Sequence, residues 1–272
     1  MVKYVIVYFT LSIILAAGGS PNASPQELTI ASHPFPPWQF YNNRSQQVDG
    51  INVEIVEHIF NEMNIKVNFI NQPWAMAWKT IKEGKAEAIM SASRKPTREP
   101  YLWYPKEDLW ISEYVFFYLR SDNSAGLIGS YAEMAKINAT IGIVTGYSYH
   151  PGFWVAFPYE DGETQYTPDK RNYHRQLYQV PTPNVLFNLL SSNRLDAAIN
   201  DKSIGLYSIK RLGLQDKIVH FDKVLFTKGY PMPFAKNSNY PDLKRVAAQF
   251  ESELKAIKQN GVYQEIVSRW IH

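Results

Sequence analysis

The sequence predicts an α/β protein of two lobes, each a mainly parallel sheet flanked by helices. Short apolar strands alternate with amphipathic helices along most of the chain. The chain has 272 residues, enough for two lobes of ordinary domain size. Hydrophobic residues make up 45% and charged residues 19%, as in a globular protein with a full-sized core.

The first predicted unit has the order strand, helix, strand, helix, strand. Its strands are expected at residues 27–32, 65–69 and 86–90, and its helices at residues 51–63 and 74–83. Ile51, Ile55 and Ile59 recur at helical spacing in the first helix, and Gly84 ends the second. The prolines of residues 33–40 exclude a helix there and predict an extended loop.

A second unit is predicted beyond the polar stretch 120–124. Its strands are expected at residues 140–144 and 197–200, and its helices at residues 185–190 and 204–212. An apolar run at 114–119 leads into this unit, a run at 219–226 returns the chain, and final helices are expected at 242–258 and 262–270. Lobe I is therefore predicted to comprise residues 24–119 and 225–272, and lobe II residues 120–224, with two crossing strands between them.

Residues 149–183 form a predicted insertion in lobe II. The segment is dense in aromatic residues and proline, and its polar run 160–175 makes a long regular element unexpected. A loop of this length in a compact lobe is usually functional or disordered. We expect its aromatic side chains, Tyr149, Phe153 and Trp154 among them, to tune selectivity at the mouth of a cleft rather than form core.

Residues 1–23 are predicted to be a signal peptide. Lys3 supplies a short positive region, residues 5–17 are apolar, and small residues near Ala23 offer a cleavage point. The apolar stretch is short for a membrane span, although an uncleaved signal anchor is the alternative. Since the sequence contains no cysteine, neither a disulfide nor a lipidated cysteine is available. We expect an exported, periplasmic monomer.

Composition argues against several other classes of protein. The net charge of +3 is dispersed along the chain, whereas a nucleic-acid-binding protein needs a clustered basic face. The six histidines occur singly and without ligand-like spacing, so no metal site is predicted. No nucleophilic triad, pair of catalytic acids or phosphate-binding loop is apparent, and no cofactor is expected.

Polar residues follow two of the predicted strands. Ser91, Ser93 and Arg98 follow the strand at 86–90, and Asp201 follows the strand at 197–200. In open α/β sheets, strand ends that deliver polar groups into a crevice commonly build small-ligand sites. A zwitterion needs a cation for its carboxylate and an anion for its ammonium group. The pattern therefore indicates a receptor for an amino acid or a similar zwitterion.

Seven short motifs, each weak alone, follow one another in a specific order. They are Phe-Pro-Pro-Trp-Gln-Phe at 35–40, Asp-Gly-Ile-Asn-Val-Glu at 49–54, Gly-Lys-Ala-Glu-Ala-Ile at 84–89, Pro-Thr-Arg at 96–98, Gly-Ile-Val-Thr-Gly at 142–146, Leu-Asp-Ala-Ala-Ile-Asn-Asp at 195–201 and Gly-Val-Tyr at 261–263. Together they resemble the extracellular solute-binding proteins of family 3, the periplasmic receptors of polar amino-acid ABC importers. The resemblance covers nearly all of the chain beyond the signal and implies the type II periplasmic-binding-protein fold with a membrane permease as partner.

The resemblance also implies roles for single residues. Arg98 would clamp the α-carboxylate of the ligand, with Ser91 and Ser93 beside it, and Asp201 would bind the α-ammonium group. The alternatives are that Arg98 is a surface arginine after a proline turn and that Asp201 caps the helix beginning near Lys202.

Phe35 and Trp74 match the aromatic residues that line the side-chain subsite in the family. Either is alternatively a core residue, and Trp78, one turn after Trp74, competes with it as a wall. Tyr147 and Ser148 follow the Gly146 turn and would present backbone N–H groups to the carboxylate, unless this is a plain turn before a helix.

Three departures from the family pattern leave the identity of the ligand side chain open. Lys95 stands where the family commonly has threonine, and Asn200 where it often has glycine. Tyr147 and Ser148 stand where it often has two small hydroxyl residues.

Two other functions are compatible with the same sequence features. The same fold hosts a periplasmic cyclohexadienyl dehydratase, for which His33, Glu113 and Asp201 are the nearest candidate acids. A ligand-sensing module for a membrane signalling partner would use the same closing cleft.

Overall fold

The computed structural model describes residues 27–121, 130–147, 149–167 and 170–271. The strands are β1 Leu28–Ser32, β2 Phe40–Asn42, β3 Gln47–Asp49, β4 Val67–Asn71, β5 Ala88–Ile89, β6 Leu102–Trp103, β7 Trp110–Leu119, β8 Ile141–Val144, β9 Leu177–Val180, β10 Ala197–Asp201, β11 Ile218–His220, β12 Phe226–Tyr230 and β13 Phe234–Ala235. The helices are α1 Ile51–Glu62, α2 Trp74–Lys82, α3 Tyr131–Lys136, α4 Pro151–Ala156, α5 Pro183–Ser191, α6 Lys202–Leu212, α7 Leu243–Asn260 and α8 Val262–Ile271. The predicted signal peptide lies outside the described residues, and none of the helices in the described part is long and apolar enough to cross a membrane.

A five-stranded sheet carries the first lobe, with the strand order β4-β1-β5-β13-β6. β1 runs parallel to β4 and β5, whereas β13 is antiparallel to β5 and β6. The apolar faces of α1, α7 and α8 pack together in its main core, where the rings of Phe60 and Phe250 stack at 5.3 Å. The predicted alternation of strands and helices is confirmed in this lobe.

A six-stranded sheet carries the second lobe, with the order β11-β7-β10-β8-β9 and β12 paired to β7. β8 lies parallel to β9 and β10, while β7 is antiparallel to β10, β11 and β12. The long strand β7 therefore pairs with three strands, and because only two of the five strand pairings are parallel, this sheet is mixed rather than mainly parallel as predicted. The buried rings of β7 face cores on both sides of the sheet, with Phe116 in one cluster and Phe117 in the other.

The chain passes between the two sheets at different points from those expected. The sequence placed the crossings near 118–120 and 223–225, but all of β7 and β12 pairs within the six-stranded sheet. The chain leaves the five-stranded sheet between Trp103 and Trp110 and returns to it between Tyr230 and Phe234. The first residues of β7 alternate between buried and exposed positions. The continuous apolar run at 114–119 therefore predicted only the later part of this strand.

Residues 149–167 do not behave as expected, because their aromatic side chains form core. Phe153, Trp154, Phe157 and Tyr159 are each at most 2% exposed, and they pack with strands of the six-stranded sheet. The ring of Trp154 stacks on that of Tyr159 at 5.4 Å with an interplanar angle of 1°. Several large apolar surfaces close together in sequence are stabilised most by mutual burial. The dense aromatic residues thus supply a core for the second lobe instead of a binding surface.

Candidate functional site

Arg98 is half-buried and held in a fixed orientation on the first lobe. Its Nη1 donates to the carbonyl of Ser93 at 2.8 Å and lies 3.4 Å from the Ser93 hydroxyl. Its guanidinium lies over the ring of Trp74, 4.5 Å from the centroid, and 5.8 Å from that of Trp78. No carboxylate in the described part of the chain forms an ion pair with Arg98. A positioned guanidinium without an anionic partner is suited to bind a carboxylate in two-pronged fashion.

The two predicted wall residues, Phe35 and Trp74, lie on one continuous set of rings. The imidazole of His33 meets Trp74 edge-on at 5.0 Å and stacks on Phe35 at 5.9 Å. Phe35 in turn lies 5.5 Å from Trp110 and 5.9 Å from Tyr230. The structure therefore brings Phe35 and Trp74 together, and both remain half-buried.

Asp201 ends β10 and caps α6. Its Oδ1 accepts from the backbone N–H of Ile204 at 2.9 Å, and its Oδ2 accepts from the hydroxyl of Ser112 at 2.7 Å and from the backbone N–H of Glu113 at 3.1 Å. The residue is 1% exposed. Burial raises the pKa of Asp201 from the usual 3.8 to about 6, although these hydrogen bonds oppose the shift. The capping role that the sequence offered as an alternative is present in the structure.

Tyr147 lies between Asp201 and the aromatic set. It follows Gly146, whose φ of 79° suits glycine, and it packs against the core clusters of both lobes. Burial, and after it the nearby Asp201 and Tyr230, raises the pKa of the Tyr147 hydroxyl. The Tyr147 ring therefore lies near Asp201 and near Tyr230, and Tyr230 in turn contacts Phe35. Ser148, the other residue predicted after this turn, lies outside the described residues.

The hydroxyl of Ser91 belongs to a buried polar network. Ser91 adopts φ 57° and is 4% exposed. Its Oγ accepts from Trp110 Nε1 at 2.9 Å and from Asn52 Nδ2 at 3.1 Å, and it donates to Gln39 Oε1 at 3.1 Å. These bonds fix the chain where it leaves β5, just before Ser93. Ser91 therefore shapes the loop that carries Arg98, while the Ser93 carbonyl contacts Arg98 directly.

β12 brings two residues to the site that the sequence analysis did not single out. Tyr230 is in register with Trp110, and their rings stack at 4.3 Å with an interplanar angle of 7°. Burial, followed by the charge of Asp201, raises the pKa of Tyr230 to about 12. Lys228, two residues earlier on the same face, lies opposite Ser112. No local pattern along residues 226–230 marks these two residues, because the position of this strand depends on its pairing with the distant strand β7.

The candidate acids of the dehydratase alternative, His33, Glu113 and Asp201, have different surroundings. Burial, together with the nearby charge of Arg98, lowers the pKa of His33 from 6.5 to about 4, so this imidazole is neutral at physiological pH. Glu113 contacts Asp201 through its backbone N–H. Among the described residues, no hydrogen bond joins the side chains of His33, Glu113 and Asp201.

Comparisons with known proteins agree with this architecture. The chain is 24% identical over 264 residues to the arginine-binding periplasmic protein of Mannheimia haemolytica, covering 95% of this chain and 97% of the relative. Its fold is similar to that of the L-cystine solute receptor of Neisseria gonorrhoeae, with a TM-score of 0.68, 16% identity, and coverage of 91% and 93% of the two chains. Substrate-binding domain 2 of Lactococcus lactis GlnP gives a TM-score of 0.67 at 21% identity, with 90% of this chain and 94% of that domain covered.

These likenesses confirm the predicted two-lobed periplasmic-binding-protein fold. The model of the bacterial extracellular solute-binding proteins, family 3, matches residues 28–272. That family consists of solute-binding proteins and so does not favour the enzyme alternative. Almost the whole described chain is included in the match, and the chain therefore belongs to the bacterial extracellular solute-binding proteins of family 3.

Proposed function

We propose that this protein captures an α-amino acid in the periplasm and delivers it to the permease of an ABC importer. Arg98, Ser93 and the surrounding loop would bind the α-carboxylate, and Asp201 would bind the α-ammonium group. The aromatic rings between these two charges would hold the ligand side chain. The 24% identical relative, named as an arginine-binding periplasmic protein, supports the amino-acid class but does not specify which amino acid.

One observation carries this proposal. Arg98 is half-buried, oriented by Ser93 and Trp74, and without an ion-pair partner among the described residues. A partly desolvated guanidinium gains from a bound carboxylate, because charge-assisted hydrogen bonds are worth about 1.5–3 kcal/mol each. The rings of His33, Phe35 and Tyr230 contact one another in that order, and the charge of Arg98 acts on His33 while the charge of Asp201 acts on Tyr230, which supports placing the two charges at opposite ends of this set of rings.

Calorimetry on ligand-free protein tests the proposal. Titration with the common amino acids is expected to find at least one ligand near micromolar affinity, about −8 kcal/mol. The Arg98→Ala variant supplies the control, and it is expected to lose that binding while it unfolds as cooperatively as the parent. Absence of binding to every amino acid would refute the proposal.

Export and the importer partnership have separate tests. Expression of the full chain in a Gram-negative host is expected to yield mature protein in the periplasmic fraction, with an N-terminus near Ala23. Reconstitution with an amino-acid ABC permease from the same organism is expected to give uptake that depends on this protein. Signalling through a neighbouring membrane kinase, without such uptake, would instead favour the sensor alternative.

A further inference from the structure

Asn52, in the first turn of α1, is a buried polar residue that no proposed ligand contact includes. It is 0% exposed and is the fourth residue of the motif at 49–54. Its backbone N–H donates to the carbonyl of Trp38 at 2.7 Å. Gly50, with φ 130°, allows this close approach, because a Cβ there would lie 2.6 Å from the same carbonyl oxygen. The start of α1 is therefore fixed against the loop 33–40.

The side-chain amide of Asn52 joins this loop to the chain that follows β5. Its Nδ2 donates to Oε1 of Gln39 at 2.7 Å and to the hydroxyl of Ser91 at 3.1 Å. Ser91 adopts φ 57°, a left-handed backbone that costs free energy for a residue with a Cβ and persists only where its surroundings enforce it. The hydrogen bonds of the Ser91 hydroxyl supply that constraint, and they hold the turn from β5 into residues 93–98.

Residues 93–98 form the loop that carries Arg98. The carbonyl of Ser93, two residues after Ser91, accepts from Arg98 Nη1 at 2.8 Å, so a shift of the turn at Ser91 moves this acceptor and the guanidinium with it. Because two parallel hydrogen bonds to a carboxylate depend on orientation, a small rotation of the guanidinium is enough to lose one of them. The Asn52 amide therefore bears on carboxylate binding although, being fully buried, it cannot itself contact a ligand.

The same polar network is unfavourable for local stability. Asn52 Oδ1 and Gln39 Nε2 are buried and have no hydrogen-bond partner among the described residues. Buried polar atoms without partners lower stability, whereas apolar side chains of similar shape would fill such a place without that penalty. Polar groups that persist against a local cost of this kind are typical of functional sites.

We propose that Asn52 is a positioning residue for the α-carboxylate of the solute: its amide holds Ser91 in the turn that orients the guanidinium of Arg98. This inference rests on the proposed function and adds to it a residue that acts on the site through others. Trp110 also donates to the Ser91 hydroxyl, at 2.9 Å, but its ring is held independently by stacking on Tyr230 at 4.3 Å. Loss of the Asn52 amide is therefore expected to displace the loop and not the aromatic rings.

Asn52→Leu tests the inference, because it keeps the branched shape of the side chain and removes the donor. Gln39 Oε1 keeps the Ser91 hydroxyl as a donor and the Ser91 oxygen keeps Trp110 Nε1, so the variant is expected to unfold cooperatively. Calorimetry on ligand-free protein titrates the common amino acids and then the α-carboxamide of each one that binds. Asn52→Leu is expected to bind the amino acid about tenfold more weakly than the parent does, and its α-carboxamide nearly as well as the parent does.

A double-mutant cycle with Arg98→Lys distinguishes positioning from a general loss of structure. In the Arg98→Lys protein the two-pronged geometry is already lost, so adding Asn52→Leu is expected to weaken binding at most about twofold further. Ile59→Ala, buried on α1 two turns beyond Asn52, is the matched control. It is expected to lower the urea midpoint of unfolding and to leave both affinities as they are in the parent.

The outcomes separate this inference from the function on which it rests. If Asn52→Leu does not unfold cooperatively, Asn52→Ala removes the same donor with a smaller side chain and has the same expected result. Unchanged affinity in the folded variant would overturn the inference, and so would an equal loss for the acid and its amide or an undiminished loss in the Arg98→Lys background. Each of these results would leave amino-acid binding intact, whereas failure of every amino acid to bind the parent would refute the proposed function itself.

Discussion

The hydroxyl of Ser112 donates a 2.7 Å hydrogen bond to Oδ2 of Asp201, joining the start of β7 to the end of β10. β7 enters the six-stranded sheet just after the chain has left the five-stranded one. Asp201 is therefore fixed close to the passage between lobes, where its carboxylate also caps α6 through the Ile204 N–H. One buried carboxylate thus serves a strand, a helix and the proposed ligand site.

Replacing Asp201 is expected to affect stability and binding to different extents. Asp201→Ala leaves the Ser112 hydroxyl and the Ile204 N–H without their acceptor and is expected to lower the free energy of unfolding by about 1–3 kcal/mol. Asp201→Asn keeps an acceptor oxygen, so it is expected to lose less stability but still weaken ligand binding about tenfold. Urea unfolding and calorimetry measure the two effects.

Ser130→Ala is the control for this prediction, since Ser130 caps the separate helix α3 by accepting from the Glu133 N–H. It is expected to lower stability and leave ligand affinity unchanged. Full affinity in Asp201→Asn would show that the carboxylate charge has no part in binding.

Ligand affinity is expected to fall as the pH is lowered through about 6. Because burial raises the pKa of Asp201 from 3.8 to about 6, the carboxyl begins to take up a proton just below neutral pH. A protonated carboxyl does not attract an ammonium group. In the ligand-free protein the sign is opposite, since a raised carboxyl pKa favours folding at low pH, and this contribution is lost as the pH rises from 3.8 through 6. Dissociation constants at pH 5 and pH 8 measure the first effect, and Asp201→Asn should abolish this step in the pH profile.

The proposed role of Arg98 depends on the shape of the guanidinium as well as on its charge. Arg98→Ala is expected to weaken binding by about 2–5 kcal/mol, and Arg98→Lys to restore only a small part, because an ammonium cannot make two parallel hydrogen bonds. Arg94→Ala removes an exposed arginine that lies over Tyr104 and pairs with Glu99, and it is expected to bind as the parent does. Equal affinities in all three variants would exclude Arg98 from the site.

The aromatic core of residues 149–167 is expected to govern stability instead of ligand choice. Trp154→Ala removes a ring that is 2% exposed and stacked on Tyr159, at an expected cost of about 3–5 kcal/mol in the free energy of unfolding. Tyr178→Ala, at a position 52% exposed, is expected to cost little. An altered ranking of ligands in a still folded Trp154→Ala protein would contradict this view.

Ligand is expected to draw the lobes together about the two passages between the sheets. The proposed ligand can contact Arg98 on the first lobe and Tyr147 on the second at the same time only when the cleft is closed. Small-angle scattering should therefore give a smaller radius of gyration with saturating ligand than without it. Arg98→Ala under the same conditions is the control, and an unchanged radius in the parent would contradict closure.

Local patterns in the sequence predicted the elements that follow simple periodicity. Ile51, Ile55 and Ile59 lie on the buried face of α1, as their spacing indicated. α4 was missed because Pro151 and Gly152 interrupt any such pattern, although proline favours the first turn of a helix and His150 caps it. The loop 33–40 was expected to be extended, yet it folds back, with the Phe35 N–H donating to the Gln39 carbonyl at 2.7 Å.

The candidate site was predictable only where it follows directly from a strand end. Arg98 and Asp201 were found because each comes soon after a buried strand that the sequence reveals. Tyr230 was missed, since its place beside Trp110 depends on β12 pairing with β7 far along the chain. The partners of the Ser91 hydroxyl, Asn52 and Trp110 among them, are likewise distant in sequence, and no local pattern joins them.

Ile204, in the first turn of α6, is buried in the main core of the first lobe although its helix follows a strand of the second. If the lobes rotate about the two passages between the sheets, the carboxylate that caps this turn lies near the axis of that rotation. Displacement in a rotation grows with distance from the axis, so Asp201 is expected to move little when the cleft opens or closes. Under the proposed function, an arriving solute would meet a nearly preformed pair of charges and dock first. The outer parts of the second lobe, which lie farther from the axis, would then make most of the movement.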